Sequence, residues 1–388
     1  MRTAVIGAGV VGSALARELS RRGARVTIYE AQRPGAGTST TSFAWVNSSN
    51  KEPRPYHDLN VAGMAAHREL AASPDPGPGW FHPTGRLEWA QEAEHLADLG
   101  DRVARLDAWG YPIRWITRQE AMALEPDLRL SGGVREIVYC PDEGYVLPAL
   151  LLSRLLGEAI DLGAELRAPA RVRSIEPSPR GVRLHLSEGG ADEVETAVSC
   201  VGRWSTGLLA GAGYRVPLAD PDLAGSPTVS FLASTAPLVA RLRRVVITPH
   251  VTARPDGGGR VLLQHLPLDS AADPNRPPQP EDSVAERLRR GLAEILAGGN
   301  QARIEQIRVG QRALPVDGQT ICGPLDGAGR LYVIATHSGI TLGPLLGRLA
   351  AEEIVTGRPS DRLSPFRPDR FETVRPPRLE GARHPGDQ

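Results

Sequence analysis

Cysteine is scarce in this sequence. Cys140, Cys200 and Cys322 are the only three in 388 residues, and they lie far apart. Such scatter excludes a disulfide framework and a cysteine-based metal motif. No HExxH or CxxC occurs. His57, His67, His82 and His95 share one stretch, but none has acidic partners at ligand spacing, so no metal is expected. No apolar run is long enough to span a bilayer. No leader precedes the first strand, which makes the cytoplasm the expected location. Neither charge is in excess: 45 Lys plus Arg balance 45 Asp plus Glu. Nothing in that balance draws nucleic acid or an anionic membrane. The positive residues are nearly all arginine, which with abundant Gly and Pro fits high-GC coding bias. Aromatics are few, as in many soluble globular chains.

What is there begins at the first residues. Arg2 to Ile6 reads as a strand, Gly7-Ala8-Gly9-Val10-Val11-Gly12 as a turn opening a helix to Arg22, and Arg25 to Tyr29 as a second strand ending at Glu30. Strand, glycines, helix, strand and acid together form a dinucleotide-binding fingerprint. Gly7 permits the tight turn, Gly9 lets backbone approach a pyrophosphate, and Gly12 lets the helix pack on the sheet. The helix N-terminus, at Val10 and Val11, offers unpaired N–H groups to phosphate. Glu30 can accept ribose hydroxyls.

Residues 31–50 read as a polar loop whose hydroxyls, Thr38 to Ser42, can donate to a pyrophosphate or a cofactor ring. A helix is expected over Tyr56 to Leu70, a strand pair turning at Gly85 over Trp80 to Trp89, and a helix over Glu92 to Trp109. Ser73 to Gly79, rich in Pro and Gly, cannot be an element interior. Thr117 opens a short helix with Glu120 in capping-box spacing. Ile137 to Tyr139 is a strand, Pro141 to Tyr145 a turn, and Pro148 opens a helix stopped at Gly163. Strands follow at 165–166, 172–176, 182–186 and 193–200. The last runs into Gly202, where a second cofactor contact or a plain strand-to-helix turn both fit. Val229 to Ser234, Val245 to Ala253 and Val261 to Leu266 read as strands, and Val284 to Leu296 as an amphipathic helix. Arg303 to Val309 and Leu331 to Ala335 are strands, with a final helix from Pro344 to about Ile354. That helix start can set N–H groups beside a ring oxygen that gains charge. Past Gly357 the chain reads as a poorly ordered Pro/Arg-rich tail.

These motifs, in this order, resemble the D-amino-acid oxidase superfamily of FAD-dependent oxidoreductases, with its glycine oxidase, sarcosine oxidase and D-amino-acid dehydrogenase branches. The likeness is carried by the opening glycines with Glu30, the Ser/Thr loop, Asp142-Glu143-Gly144-Tyr145, Cys200 to Trp204, Gly310-Gln311-Arg312 with Pro315 to Gly318, and His337-Ser338-Gly339. It spans about residues 1–357. It implies an α/β chain: a Rossmann-like FAD-binding domain (1–45, 140–215, 320–357) and an α+β substrate domain (46–139, 216–319) on a mainly antiparallel sheet, before the tail at 358–388. It implies FAD held by Gly7, Gly9, Val10, Val11, Gly12 and Glu30, with Thr41 and Ser42 near pyrophosphate or flavin. Val172 would flank the adenine, Gly202 the cofactor backbone, and Gly339, Ile340 and Thr341 the flavin pyrimidine edge.

Arg312 falls where such enzymes grip a substrate carboxylate, although a structural ion pair would also account for it. The family often has Pro directly after this arginine, whereas Ala313 stands here, so a shifted guanidinium is expected. Cys322 is not in the setting of a covalent flavin link, so FAD is expected to be noncovalent. The implied reaction oxidises a D-amino acid or secondary amino acid to an imine by hydride transfer to flavin N5, with hydrolysis to a keto acid. His337 and Tyr145 are candidates for lining or polarising the site. The acceptor is oxygen or another oxidant. Another amine as substrate, or an NAD(P)-linked reductase, is the alternative.

Overall fold

Alternating short apolar strands and amphipathic helices at the start of the chain can bury both faces only by stacking strands in parallel between helices. The computed structural model, which describes residues 1–73, 79–178 and 181–373, has that arrangement. Six strands lie in the order Ile321–Pro324, Leu331–Ala335, Thr196–Ser199, Arg2–Ile6, Arg25–Tyr29, Glu165–Arg167. All neighbours are parallel except the first pair. Val5, Ile28, Val198 and Val333 are fully buried in it. Helix Val10–Arg21 packs on helix Gly339–Thr356 along small residues. A Cβ added to Gly347 would lie 2.7 Å from the Ala14 backbone, so these two helices touch main chain to main chain.

The second large sheet has eight strands, in the order Ile304–Gln311, Val229–Thr235, Val261–Gln264, Thr252–Pro255, Val245–Ile247, Arg86–Glu88, Ile137–Cys140, Arg114–Ile116. Only Val245–Ile247 with Arg86–Glu88 is parallel. Helix Ser283–Ile295 covers it, burying Leu288, Leu292 and Ile295. Two three-stranded sheets complete the fold. One joins Trp45–Val46, Gly144–Val146 and Phe81–His82; the other is a meander from Val172 to Val194. Thr117 and Glu120 form the expected capping box. Among the described residues no helix is long and apolar enough to cross a membrane.

Several expected elements are corrected. Trp80 to Trp89 is not a hairpin: Phe81–His82 and Arg86–Glu88 join different sheets. The run 193–200 divides at Glu195, leaving Ala191–Val194 in the meander and Thr196–Ser199 in the parallel sheet. Val245 to Ala253 turns between Thr248 and Val251, where the Thr248 N–H donates to the Val251 carbonyl at 3.2 Å. Gly144 and Tyr145 belong to a strand rather than a turn. Residues 358–373 are not a loose tail. Leu363 and Phe366 are fully buried, Arg367 pairs with Glu353, and Arg370 Nε donates to Asp317 at 2.8 Å. The remainder of that tail, and most of the segment Ser73 to Gly79, lie outside the described residues.

The final helix starts at Gly339, with Pro344 inside it, rather than at Pro344. Proline lacks the N–H that would bond the Ile340 carbonyl. His67 Nε2 donates to that carbonyl instead, at 2.8 Å, and the proline is accommodated. His67 is fully buried and its Nδ1 has no partner among the described residues. Burial pushes the imidazole down to about 4, against the opposing pull of the Ile340 carbonyl. The folded pKa is therefore below the unfolded value of about 6.5, so the unfolded chain takes the proton first. The stability that His67 contributes is complete above about pH 6.5 and is lost as pH falls toward 4. His67→Leu should cost about 1–3 kcal/mol at pH 7 by orphaning the Ile340 carbonyl. Its stability should also fall less steeply than the wild type's between pH 6.5 and 4. Chemical denaturation at pH 7 and pH 5 measures both, and parallel losses in the two proteins would contradict the assignment.

Candidate active site

A cleft of about 500 Å³ opens along the C-terminal edge of the parallel sheet. At one end stands Glu30, whose carboxylate accepts from Ala8 N at 3.0 Å and Gln32 N at 2.9 Å. These two bonds orient it and leave lone pairs for ribose hydroxyls. The glycines are required by space. Gly7 has φ +105°, and a Cβ there would lie 2.7 Å from the Cys200 carbonyl oxygen; one on Gly12 would lie 1.9 Å from the Gly7 oxygen. Val10, Val11, Val172, Gly202 and, at the far end, His337, Gly339 and Ile340 line the same cleft. Because the final helix begins at Gly339, its unpaired N–H groups open directly onto it.

Ser39, within the hydroxyl cluster expected to donate to the cofactor, accepts instead, so the Val10 N–H is paired rather than free for phosphate. The Ser39 Oγ accepts from Val10 N at 3.0 Å, in the first turn of the opening helix. Ser39→Ala removes that acceptor and should weaken FAD binding roughly fivefold, or about 1 kcal/mol. Fluorescence titration of the apoprotein with FAD measures it, and an unchanged Kd would leave Ser39 with no part in shaping the cradle.

Adjoining the cleft, and sharing Thr38, Ser42, His337 and Ile340 with it, is a chamber. Thr41, Phe43, Trp45, Asn47, Lys51, Ser230, Leu232, Gln264, Arg312 and Thr341 line it. Thr38 donates to the Gln311 carbonyl, and a Cβ on Gly310 would lie 3.0 Å from the Thr41 oxygen. The Ser/Thr loop is thus clamped to the strand that delivers Arg312. Ala44, at the bend beneath it, holds φ +57°, a strained backbone conformation for a residue with a Cβ. The Arg312 N–H donates to the Thr228 carbonyl at 2.7 Å, and its guanidinium NH1 to the Pro227 carbonyl at 3.1 Å. No carboxylate pairs with that guanidinium among the described residues. Burial lowers its pKa, opposed by the charge of Asp269. Ala313 brings no departure from the chamber, and Arg312 lines it.

The loop between Trp45 and Lys51 is held from below by one buried carboxylate. Glu143, fully buried, accepts from Trp45 Nε1 at 3.1 Å, Ser48 N at 3.4 Å, Ser49 N at 3.1 Å, Tyr111 OH at 2.8 Å and Arg86 Nε at 2.8 Å. Arg86, also fully buried, pairs with Glu88 as well, and Arg102 ties Glu88 to Asn50. Tyr145 lies outside the chamber. Its ring stacks on His82 at 4.7 Å, within an apolar cluster behind the wall, and burial pushes its phenol up to about 12. His57 also sits behind the wall, its Nδ1 2.9 Å from the Ser48 carbonyl. Among the described residues no group of three His, Cys, Asp or Glu could hold a metal.

The family model described as "DAO: FAD dependent oxidoreductase" matches residues 2–353. The chain belongs to the DAO family. Glycine oxidase of Bacillus licheniformis is 26% identical over 384 residues, covering 96% of this chain and 98% of that protein. D-amino acid dehydrogenase of Methylobacterium nodulans is 27% identical, covering 92% and 96%. The crystal structure of glycine oxidase from Geobacillus kaustophilus superposes with TM-score 0.82 at 24% identity, covering 94% of this chain and 98% of that one. The chain is accordingly an FAD-dependent oxidoreductase, with the α/β architecture expected from its motifs.

The cleft suits that cofactor: a Cβ-free floor at Gly7 and Gly12, a fixed acid at Glu30, and helix N-termini at both ends. Of the residues singled out for this DAO chain, Gly7, Gly9, Val10, Val11, Glu30, Val172, Gly202 and Gly339 line the cleft. Thr41, Thr341 and Arg312 line the chamber, while Ser42, Ile340 and His337 line both. Gly12 packs beneath the floor, and Tyr145 is displaced from the site. Lys51 and the anchoring role of Glu143 were missed. For Lys51 a signal existed, since it is the only lysine in the chain.

Proposed function

We propose that this DAO-family chain oxidises a D-amino acid or N-substituted amino acid at the carbon beside nitrogen, giving an imine that water hydrolyses to a keto acid and ammonia or an amine. The observation that carries the reading is Arg312, a half-buried guanidinium that forms no salt bridge among the described residues, in a chamber continuous with the cofactor cleft. The likenesses to a glycine oxidase and a D-amino acid dehydrogenase agree with it. FAD, when bound, would supply the two-electron acceptor for this oxidation. Arg312 holds the carboxylate by two parallel N–H bonds and so fixes the neighbouring carbon. Phe43, Trp45, Leu232 and Ile340 exclude water from the chamber. The amine loses its proton before the hydride leaves, and no side chain need serve as an obligatory base. We read FAD as noncovalent: the Cys322 thiol is fully buried off the cleft, and Cys200, which lines it, is held as the neutral thiol by burial.

The test is anaerobic bleaching of the bound flavin across D, L and N-methyl amino acids, followed by air and a peroxide assay. Bleaching by amino acids and not by the matching decarboxylated amines supports the reading. Bleaching by both alike, or by neither, overturns it. Peroxide formed at the rate of reoxidation distinguishes an oxidase from a dehydrogenase.

A further inference from the structure

The chain places arginine at every cationic position but one. That exception, Lys51, is 4% exposed and lines the chamber that holds Arg312. Its place is built. The Lys51 N–H donates to the Ser48 carbonyl at 3.2 Å, Glu143 grips Trp45, Ser48 and Ser49, and Arg102 donates to Asn50 at 2.7 Å. The Lys51 Nζ then lies 3.5 Å from His337 Nε2, at the start of the final helix. Arg312 arrives from another element, the end of the strand Ile304–Gln311, and donates to a different neighbour, Pro227. The chamber lining includes no Asp or Glu among the described residues. Two cations from separate elements therefore face one partly desolvated space that has no wall anion between them. Arg312 feels the charge of Asp269 from outside the chamber, but the lining itself adds no carboxylate, so each cation can take one carboxylate of a ligand.

We propose that Lys51 is a second anion anchor, and that the substrate is an amino acid carrying a further acidic group on its nitrogen substituent or its side chain. This rests on the reading of the chamber as the amino-acid site. Arg312 takes the carboxylate beside the reacting carbon, and the Lys51 ammonium takes the second anion. The assignment makes Lys51 a specificity residue, separate from the chemistry.

Binding can be read without turnover, by using thioethers in which sulfur replaces the amine nitrogen. Thiodiacetate carries two carboxylates and methylthioacetate one, and both perturb the absorbance of bound flavin on entering the chamber. With the holoenzyme, thiodiacetate should bind roughly 10- to 100-fold more tightly. In Lys51→Met the affinity ratio should fall toward one, and in Lys51→Arg it should recover in part. No preference in the wild type, or a preference that survives Lys51→Met, overturns the proposal. An equal loss for both ligands with a shifted flavin midpoint potential also overturns it, because Lys51 would then serve the flavin. If thiodiacetate is preferred through Lys51 yet no amino acid bleaches the flavin, the anchor stands and the amine-oxidation reading falls. If amino acids bleach it and thiodiacetate is not preferred, the reverse holds.

Discussion

Arg312→Ala is expected to lower kcat/KM for an amino-acid substrate by roughly 150-fold, about 3 kcal/mol, mostly through KM. The guanidinium donates to the Pro227 carbonyl and forms no salt bridge among the described residues, so its removal breaks no ion pair, although Asp269 loses a nearby positive charge. The Arg312 N–H keeps its bond to the Thr228 carbonyl whatever the side chain, which preserves the strand end. Arg312 lines the chamber and not the cofactor cleft, so the variant should purify yellow. What it loses is attraction for a carboxylate that must otherwise remain solvated. Arg312→Lys should recover part of the affinity, as a point charge lacking the planar fork. Steady-state kinetics beside the flavin spectrum measures all of this. An unchanged KM with FAD bound would remove Arg312 from substrate recognition.

The adenosine end of the site was legible because its physics is local. One glycine must adopt positive φ, another must approach a strand backbone, and an acid must end the next strand, all within 30 residues. The flavin end was legible only in outline. Pro344 looks like a helix start because proline is favoured in a first turn. What makes it a mid-helix residue is His67, nearly three hundred positions away, which satisfies the carbonyl that proline abandons. No local rule carries that information. The split at Glu195 and the separation of Phe81–His82 from Arg86–Glu88 have the same origin. Short apolar runs state that a strand exists, not which sheet takes it. Leu363 and Phe366 show the converse error. Two buried anchors outweighed a Pro- and Arg-rich composition. Lys51 was legible and overlooked, since in a chain with one lysine that lysine is a choice of side chain rather than a bias.

Glu143→Ala should be the most damaging single change outside the cofactor cradle, costing about 4 kcal/mol of stability. Five donors converge on this carboxylate, and alanine removes that acceptor from all of them, including the Nε of a buried guanidinium and two backbone N–H groups. Arg86 keeps Glu88, but Glu88 must also serve Arg102, so the network is left one negative charge short. Glu143→Gln keeps the volume and one acceptor oxygen, yet turns an NH₂ group toward donors, and should fall between wild type and alanine. The double variant Arg86→Met with Glu143→Leu removes charge from both sides. It should be more stable than Glu143→Ala, because breaking a buried pair harms more than replacing it. Denaturant midpoints give the order. A second readout separates fold from site: the Trp45–Lys51 loop forms one wall of the chamber, so Glu143→Gln should also weaken thiodiacetate binding under conditions where it is fully folded. A Glu143→Ala protein as stable as wild type would show that Arg86 finds another partner. A destabilised but folded Glu143→Gln that binds thiodiacetate normally would confine the network to stability and detach it from Lys51.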